Sequence, residues 1–356
     1  MKISIVVPVY KAERHLAETL DSLLSQTHED LEIVCVDDGS PDGCWTILER
    51  YANEDPRVVP IRQENRGVSA ARNTGISHAT GDILMFVDAD DTLLPHACDR
   101  VNRAFEAESA EVFTFGLLCD PPEAAPASLR RELSPADAVY DGFQPNLLFK
   151  EYARPYACRT AILHDFAKRE NVRFEEGLGL AEDQVFYFAV YPFSKRTVLS
   201  SEKLYVYRMN DESATHAAFD TASALHKKLD AHMTAIEAIC RIWSERGLHD
   251  FCAAELLEWC LDFTMLDIGR LPAPEQRTAY RRLMPCLDEH FRDSSEKFAR
   301  RGPTKACLDD IKQALAQSDG ADAPVISKWH KARFFLMRRG FVRCAERVLM
   351  KLGIVK

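Results

Sequence analysis

Through its first 117 residues the chain alternates short apolar runs with amphipathic stretches. Residues 3–10, 32–37, 58–62, 83–87 and 111–115 have strand length and are rich in Val, Ile or Phe. Residues 13–26, 44–53, 68–79 and 95–108 carry helical patterns between them, and Leu16, Leu20, Leu23 and Leu24 form the apolar face of the first. This alternation predicts an α/β fold: a mostly parallel sheet, helices on both faces and right-handed crossovers. Beyond Leu118 the pattern weakens, and Pro121, Pro122, Pro126 and Pro135 mark a loop. A helix-like stretch at 181–191 and β-like stretches at 197–200 and 203–208 follow, then a polar segment at 209–219. From about residue 220 the chain reads as helices, broken near Gly247, 269–274, Gly302-Pro303 and 320–324.

Composition adds boundaries to this picture. With 28% charged and 46% hydrophobic residues over 356 positions, the chain reads as an ordinary globular protein with a sizeable core. No run has the length of a membrane-spanning helix, and the first residues read as a strand rather than a signal peptide, so the expected location is the cytosol. The eleven cysteines are odd in number and include no Cys-x-x-Cys pair, so neither a zinc site nor a disulfide framework is expected. The net charge of −10 is uneven: residues 327–356 hold nine Lys/Arg and one acid, Glu346.

Ligands of open α/β sheets bind beyond the carboxyl ends of the strands, and polar residues cluster there. The apolar stretch at 83–87 runs into Asp88, Asp90 and Asp91. Clustered like charges at the end of a buried strand need a partner. A hard cation such as Mg²⁺ or Mn²⁺, held with substrate phosphates, would supply it; an Asp-rich turn is the bland alternative. Asp37-Asp38-Gly39-Ser40 forms a tight turn able to receive a base or ribose, or merely to cap a helix. Residues 64–75 open a helix whose N-terminus favours anions, with Arg72 and Asn73 one turn in; a solvated Arg is the alternative. After a Gly177–Gly179 run, Glu182 and Asp183 enter an aromatic helix, as a general base or as helix-capping acids.

In this order and spacing the four features resemble family 2 glycosyltransferases with the GT-A fold, above all bacterial enzymes that build surface polysaccharides. The resemblance covers roughly residues 1–215, most specifically 4–10, 36–40, 65–75 and 81–91. It implies a GT-A nucleotide-diphospho-sugar transferase domain at 1–218, with a donor-binding half at 1–117 and an acceptor-side half at 118–218. A helical region at 219–324 and a basic amphipathic tail at 325–356 complete the chain. By resemblance, Pro8, Val9 and Tyr10 line a nucleobase pocket, and Glu13 and Ala89 join the nucleotide-sugar-binding set. Asp38 hydrogen-bonds the base, uracil by family expectation, and Arg72 approaches the base or diphosphate. Asp88 reaches the ribose. Asp90 holds Mn²⁺ or Mg²⁺ on the diphosphate and Asp91 supports it through water. Asp183 matches the Asp that is the catalytic base of inverting members. Arg208 or His216 contacts diphosphate or metal. The implied reaction passes one sugar from a nucleotide-diphospho-sugar, a UDP-sugar by family expectation, to a hydroxyl of a glycan or lipid-linked acceptor. Two departures stand out. Many relatives have a Lys upstream of the Glu-Asp pair, where residues 152–159 here offer Cys158 or Arg159. The Gln-x-x-Arg-Trp signature of processive synthases is absent, which favours transfer of a single sugar.

In the tail, Trp329, Phe334, Phe335, Leu336, Phe341 and further apolar residues alternate with the basic ones. The pattern suits a helix lying peripherally on an anionic membrane; a terminal helix packed on the acidic remainder is the alternative. The acidic remainder disfavours nucleic acid as a partner. A nucleotidylyltransferase would want a Gly-rich loop after the first strand, where Tyr10-Lys11-Ala12-Glu13 has no glycine. A non-catalytic nucleotide-sugar-binding module would have no need of Asp88, Asp90 and Asp183 together.

Overall fold

The apolar runs fold as strands covered on both sides: β1 (Ile3–Val9), β2 (Leu31–Asp37) and, further on, Ile83–Phe86 are buried at every position. The computed structural model describes residues 1–122, 133–150, 156–209, 222–291, 302–317 and 323–351, without the side chains of 249, 250, 342, 343 and 346–351. It divides into two units, Met1–Ala217 and Ala218–Lys356.

In the first unit, α1 (Leu16–Leu24), α2 (Cys44–Glu54) and α3 (Val68–His78) link β1, β2, β3 (Val58–Arg62) and β4 (Ile83–Phe86). Helix α1 buries Leu16, Leu20 and Leu23, the periodic face read from the sequence. These strands pair in parallel in the order β3-β2-β1-β4. The chain therefore builds outward from β1 to one side and then crosses to its other side. That reversal opens a crevice between the ends of β1 and β4, where ligands of such sheets bind.

Beyond β4 the sheet is mixed. After β5 (Thr92–Leu93) and α4 (Ala97–Glu108) come β6 (Val112–Asp120), β7 (Ala138–Asp141), α5 (Pro145–Phe149), β8 (Thr160–Leu163), α6 (His164–Arg169), α7 (Glu182–Val190) and β9 (Arg196–Arg208). Strand β8 is antiparallel to both β4 and β6, β6 is parallel to β9, and β5 and β7 pair antiparallel with β9. The parallel arrangement expected from the sequence thus holds for the first four strands. Strands β5, β7 and β8 are two to four residues long, too short to carry a period. Strand β9 is continuous where the sequence suggested two pieces, because its exposed centre, Ser201–Lys203, is polar.

The second unit consists of α8 (Ala222–Glu245), α9 (His249–Ile268), α10 (Ala273–Phe291), α11 (Gly302–Ala316) and α12 (Lys328–Lys351), with α12 bent at Gly340. One side of α12 packs within this unit: Phe334 is buried, Arg339 pairs with Asp262 at 2.8 Å and His330 with Asp310 at 2.8 Å. Trp329, Leu336, Met337 and Phe341 are exposed. No helix among the described residues is long and apolar enough to cross a membrane.

Candidate active site

The ends of β1 and β4 are held level, with Val6 opposite Phe86 and the Val87 amide donating to Val6 O at 3.1 Å. Asp88, Asp90 and Asp91 therefore emerge beside Tyr10. Asp91 turns inward and is buried; its carboxylate accepts from the Tyr205 hydroxyl at 2.6 Å and from the Arg208 amide at 2.7 Å. Burial first, and the charges of Asp88 and Asp90 next, push it up to about 8. Both of its oxygens are already engaged by the protein, which sets it beneath the cluster rather than facing outward. Arg208 also donates through Nε to Asp90 O at 3.0 Å, so the end of β9 braces the acidic turn. Asp88 and Asp90 lie close enough to act on Asp91, and their carboxylate oxygens are the donor type that a hard divalent cation takes. His216 lies outside the described residues.

The Arg72–Gly75 motif performs three separate tasks. Gly75 lets α3 lie against β1: a Cβ there would be 2.3 Å from Val6 Cγ1. Asn73 pairs with the backbone of Phe174 through both its amide groups, each bond 2.9 Å. Arg72 is buried and donates to Asp88 Oδ1 and to Glu182 Oε1, both at 2.9 Å, with its guanidinium 5.0 Å from the Phe174 ring centroid. It thus ties the tip of β4 to the start of α7. Apolar packing runs alongside the ion bridge: Phe86 meets Phe174 and Phe186 edge-on at 5.1 and 5.7 Å, and Phe174 stacks on Phe186 at 4.5 Å.

Asp183 follows Glu182 at the start of α7, next to the Arg72 bridge. Its carboxylate accepts from the Tyr156 amide at 2.8 Å and from the Gln184 amide at 2.7 Å. The Tyr156 carbonyl in turn accepts from the Tyr187 hydroxyl at 2.8 Å, and Tyr187 bonds Thr160 of β8 at 2.9 Å. Burial, then the neighbouring Glu182 charge, push Asp183 up to about 6, against the two amides and Arg72.

The remaining predicted residues divide. Tyr10 is exposed at the mouth, with the Lys11 ammonium 5.2 Å from its ring centroid, whereas Pro8 and Val9 are buried in β1. Ala89 is buried, and its carbonyl accepts from Thr19 at 2.9 Å. Two further residues of the expected nucleotide-sugar set are held by the protein itself. Asp38 is buried, and its carboxylate accepts from Gln63 Nε2 at 2.7 Å and from the Arg66 and Gly67 amides at 2.9 and 2.8 Å. It shapes the turn into α3, so it reaches a base only by giving up one of these bonds. Glu13 accepts from the Gly43 amide at 3.0 Å and closes a neighbouring turn. Cys158 is buried behind the acidic cluster, its thiol on the Tyr205 hydroxyl.

Tyr205 and Asn73 were given no role from the sequence, and Glu182 was read only beside Asp183, as a base or a capping acid, not as a partner of Arg72. The available signal was a single Arg inside an apolar helix N-terminus: a guanidinium that is buried needs two acceptors, and Glu182 stood next to the predicted base.

Residues 4–165 match the family model described as glycosyl transferase family 2. Over 263 residues the chain is 29% identical to the uncharacterized glycosyltransferase EpsJ of Bacillus subtilis (strain 168), covering 71% of this chain and 73% of EpsJ. Over 217 residues it is 35% identical to a poly(ribitol-phosphate) beta-glucosyltransferase of Bacillus spizizenii, covering 58% of this chain but only 32% of that protein. Among solved structures, Staphylococcus aureus TarS 1-349 in complex with UDP-GlcNAc superposes with a TM-score of 0.54 at 17% identity, over 85% of this chain and 92% of that one. That likeness concerns the fold.

Proposed function

We propose that this chain, a glycosyltransferase by virtue of its family 2 domain at residues 4–165, moves one sugar from a UDP-sugar to a hydroxyl of a cell-surface glycan precursor, with inversion at the anomeric carbon. The observation that supports this reading is the Asp88–Arg72–Glu182 bridge, which joins the acidic tip of β4 to the start of α7, the helix that carries Asp183. Donor diphosphate and acceptor hydroxyl can then share one crevice. Asp183 takes the proton from the acceptor hydroxyl as that oxygen attacks the anomeric carbon opposite the leaving nucleoside diphosphate. Held up to about 6, Asp183 is ionised at neutral pH yet more basic than an ordinary carboxylate.

Asp90, with Asp88 beside it and Asp91 beneath, would hold a divalent cation, Mn²⁺ or Mg²⁺, which when bound offsets the charge of the departing diphosphate. Tyr10 lines the nucleobase side of the mouth. Arg208 keeps the acidic turn in place. The choice of a UDP-sugar is supported by the TarS complex with UDP-GlcNAc, and a polyol-phosphate or glycan acceptor by the name of the Bacillus spizizenii relative. The exposed side of α12, with Trp329, Leu336, Met337 and Phe341 among basic residues, would rest on an anionic bilayer carrying a lipid-linked acceptor.

Thermal unfolding of the full chain with UDP-, GDP-, CMP- and dTDP-sugars, each with and without Mn²⁺ or Mg²⁺, tests the donor assignment. A rise in Tm confined to UDP-sugars and dependent on the metal is expected. A folded chain that no nucleotide sugar stabilises contradicts it.

A further inference from the structure

Away from the acidic crevice, the helical second unit brings Cys240, Cys286 and His290 together, with one donor atom from each lying within 4.8 Å of the others. Among the described residues no other trio of His, Cys, Asp or Glu converges in this way. Cys240 lies on α8, and Cys286 and His290 lie one turn apart on α10, so both project from the same side of that helix. The absence of a Cys-x-x-Cys pair had argued against zinc, but these ligands come from two helices more than forty residues apart in sequence.

We propose that Cys240, Cys286 and His290 form a binding site for a thiophilic divalent cation of the zinc class, which staples α8 to α10. Two sulfurs and an imidazole suit Zn²⁺ and not the oxygen-seeking Mg²⁺ or Mn²⁺ of the crevice. The site is graded from inside to outside: Cys240 is fully buried, while Cys286 and His290 are half-buried, which leaves the fourth tetrahedral position to water. The site is also braced. Ser244, one turn beyond Cys240, holds His290 Nδ1 at 2.7 Å and fixes the rotation of the ring. The Cys240 thiol contacts the thiols of Cys286 and of Cys260, so its sulfur is already oriented. The carboxylates of Glu237 and Glu289 act on Cys286 and add the negative potential that a cation favours.

The test uses the full-length chain, reduced and freed of metal, titrated with Co²⁺ alone as a spectroscopic probe and then with Zn²⁺. Expected are a thiolate-to-cobalt charge-transfer band that saturates at one equivalent, its bleaching by Zn²⁺, and a Tm raised by Zn²⁺. Cys286→Ser and His290→Asn, each checked for native circular dichroism, should each weaken binding more than about 100-fold. Asp90→Asn should leave the band in place, which separates this site from the crevice. His290 lies at the surface, so its variant remains informative if Cys286→Ser fails to fold. No band in the folded, reduced chain overturns the proposal, as does a band unchanged in both ligand variants. A Cys240–Cys286 disulfide that withstands reduction, seen by intact mass, also overturns it.

Discussion

At the residue scale, the proposed chemistry rests on carboxylates, among them Asp91 and Asp183, whose proton affinities the fold has moved. Asp183 is raised to about 6. As a base it must be ionised, so kcat/KM is expected to rise about tenfold per pH unit below 6 and to level off above it; a flat profile from pH 5 to 8 would contradict this role. Arg72 is the second critical residue. Replacing it by Met leaves Asp88 and Glu182 without their shared cation and is expected to cost about 3–5 kcal/mol in urea unfolding. A loss under 1 kcal/mol would mean that the bridge is not what holds α7 to β4. The aspartates stood out in the sequence as candidates, because three acids after an apolar strand and an acidic pair before an aromatic helix are chemical anomalies. Their partners did not, because the Arg72 pairings with Asp88 and Glu182 join segments 16 and 110 residues away. The Asp38 partners were hidden for a related reason: its bonds to Gln63 and to the Arg66 and Gly67 amides come from a turn 25–29 residues further on.

At the element scale, the first four strands and the helices between them were legible because each is long enough to show a period and each strand is buried on both faces. Strands β5, β7 and β8 were not, because their identity depends on the edges they meet rather than on their own side chains. Helix α3 lies close against β1 at Gly75. Gly75→Ala is expected to cost about 1–3 kcal/mol, since the added methyl meets the branched and fully buried Val6. Unchanged stability would show that α3 can shift outward. The Phe86–Phe174–Phe186 stack is its counterpart on the α7 side. Phe186→Ala is expected to cost about 3–5 kcal/mol and to lower transfer activity with it, because the same ring helps hold the helix that carries Asp183.

At the scale of the whole molecule, one contribution to acid stability sits at the opposite end of the sheet. Burial works against the Glu32 charge, but hydrogen bonds from Lys2, Ser4 and Thr80 outweigh it and hold Glu32 down to about 2. A carboxylate lowered in this way stabilises the fold above its ordinary value of 4.5 and loses that contribution as pH falls toward 2. Glu32→Gln should therefore cost up to about 3 kcal/mol at pH 7, about half of that near pH 3 and little below about pH 2, in denaturant unfolding at each pH. The charge asymmetry of the chain has a separate consequence. If the outer side of α12 rests on a bilayer, co-sedimentation with anionic vesicles should weaken with salt and fall in a Trp329→Glu/Phe341→Glu variant. Equal recovery with neutral vesicles would leave the tail as a packing helix only.

The central claim is that Asp183 is the base that deprotonates the acceptor, and Asp183→Asn tests it most directly, with transfer and donor binding measured on the same folded sample. Expected is a loss of transfer of roughly 10²–10⁴-fold with the donor dissociation constant unchanged. Transfer that persists near the wild-type rate would contradict it, and would move the base elsewhere in the crevice.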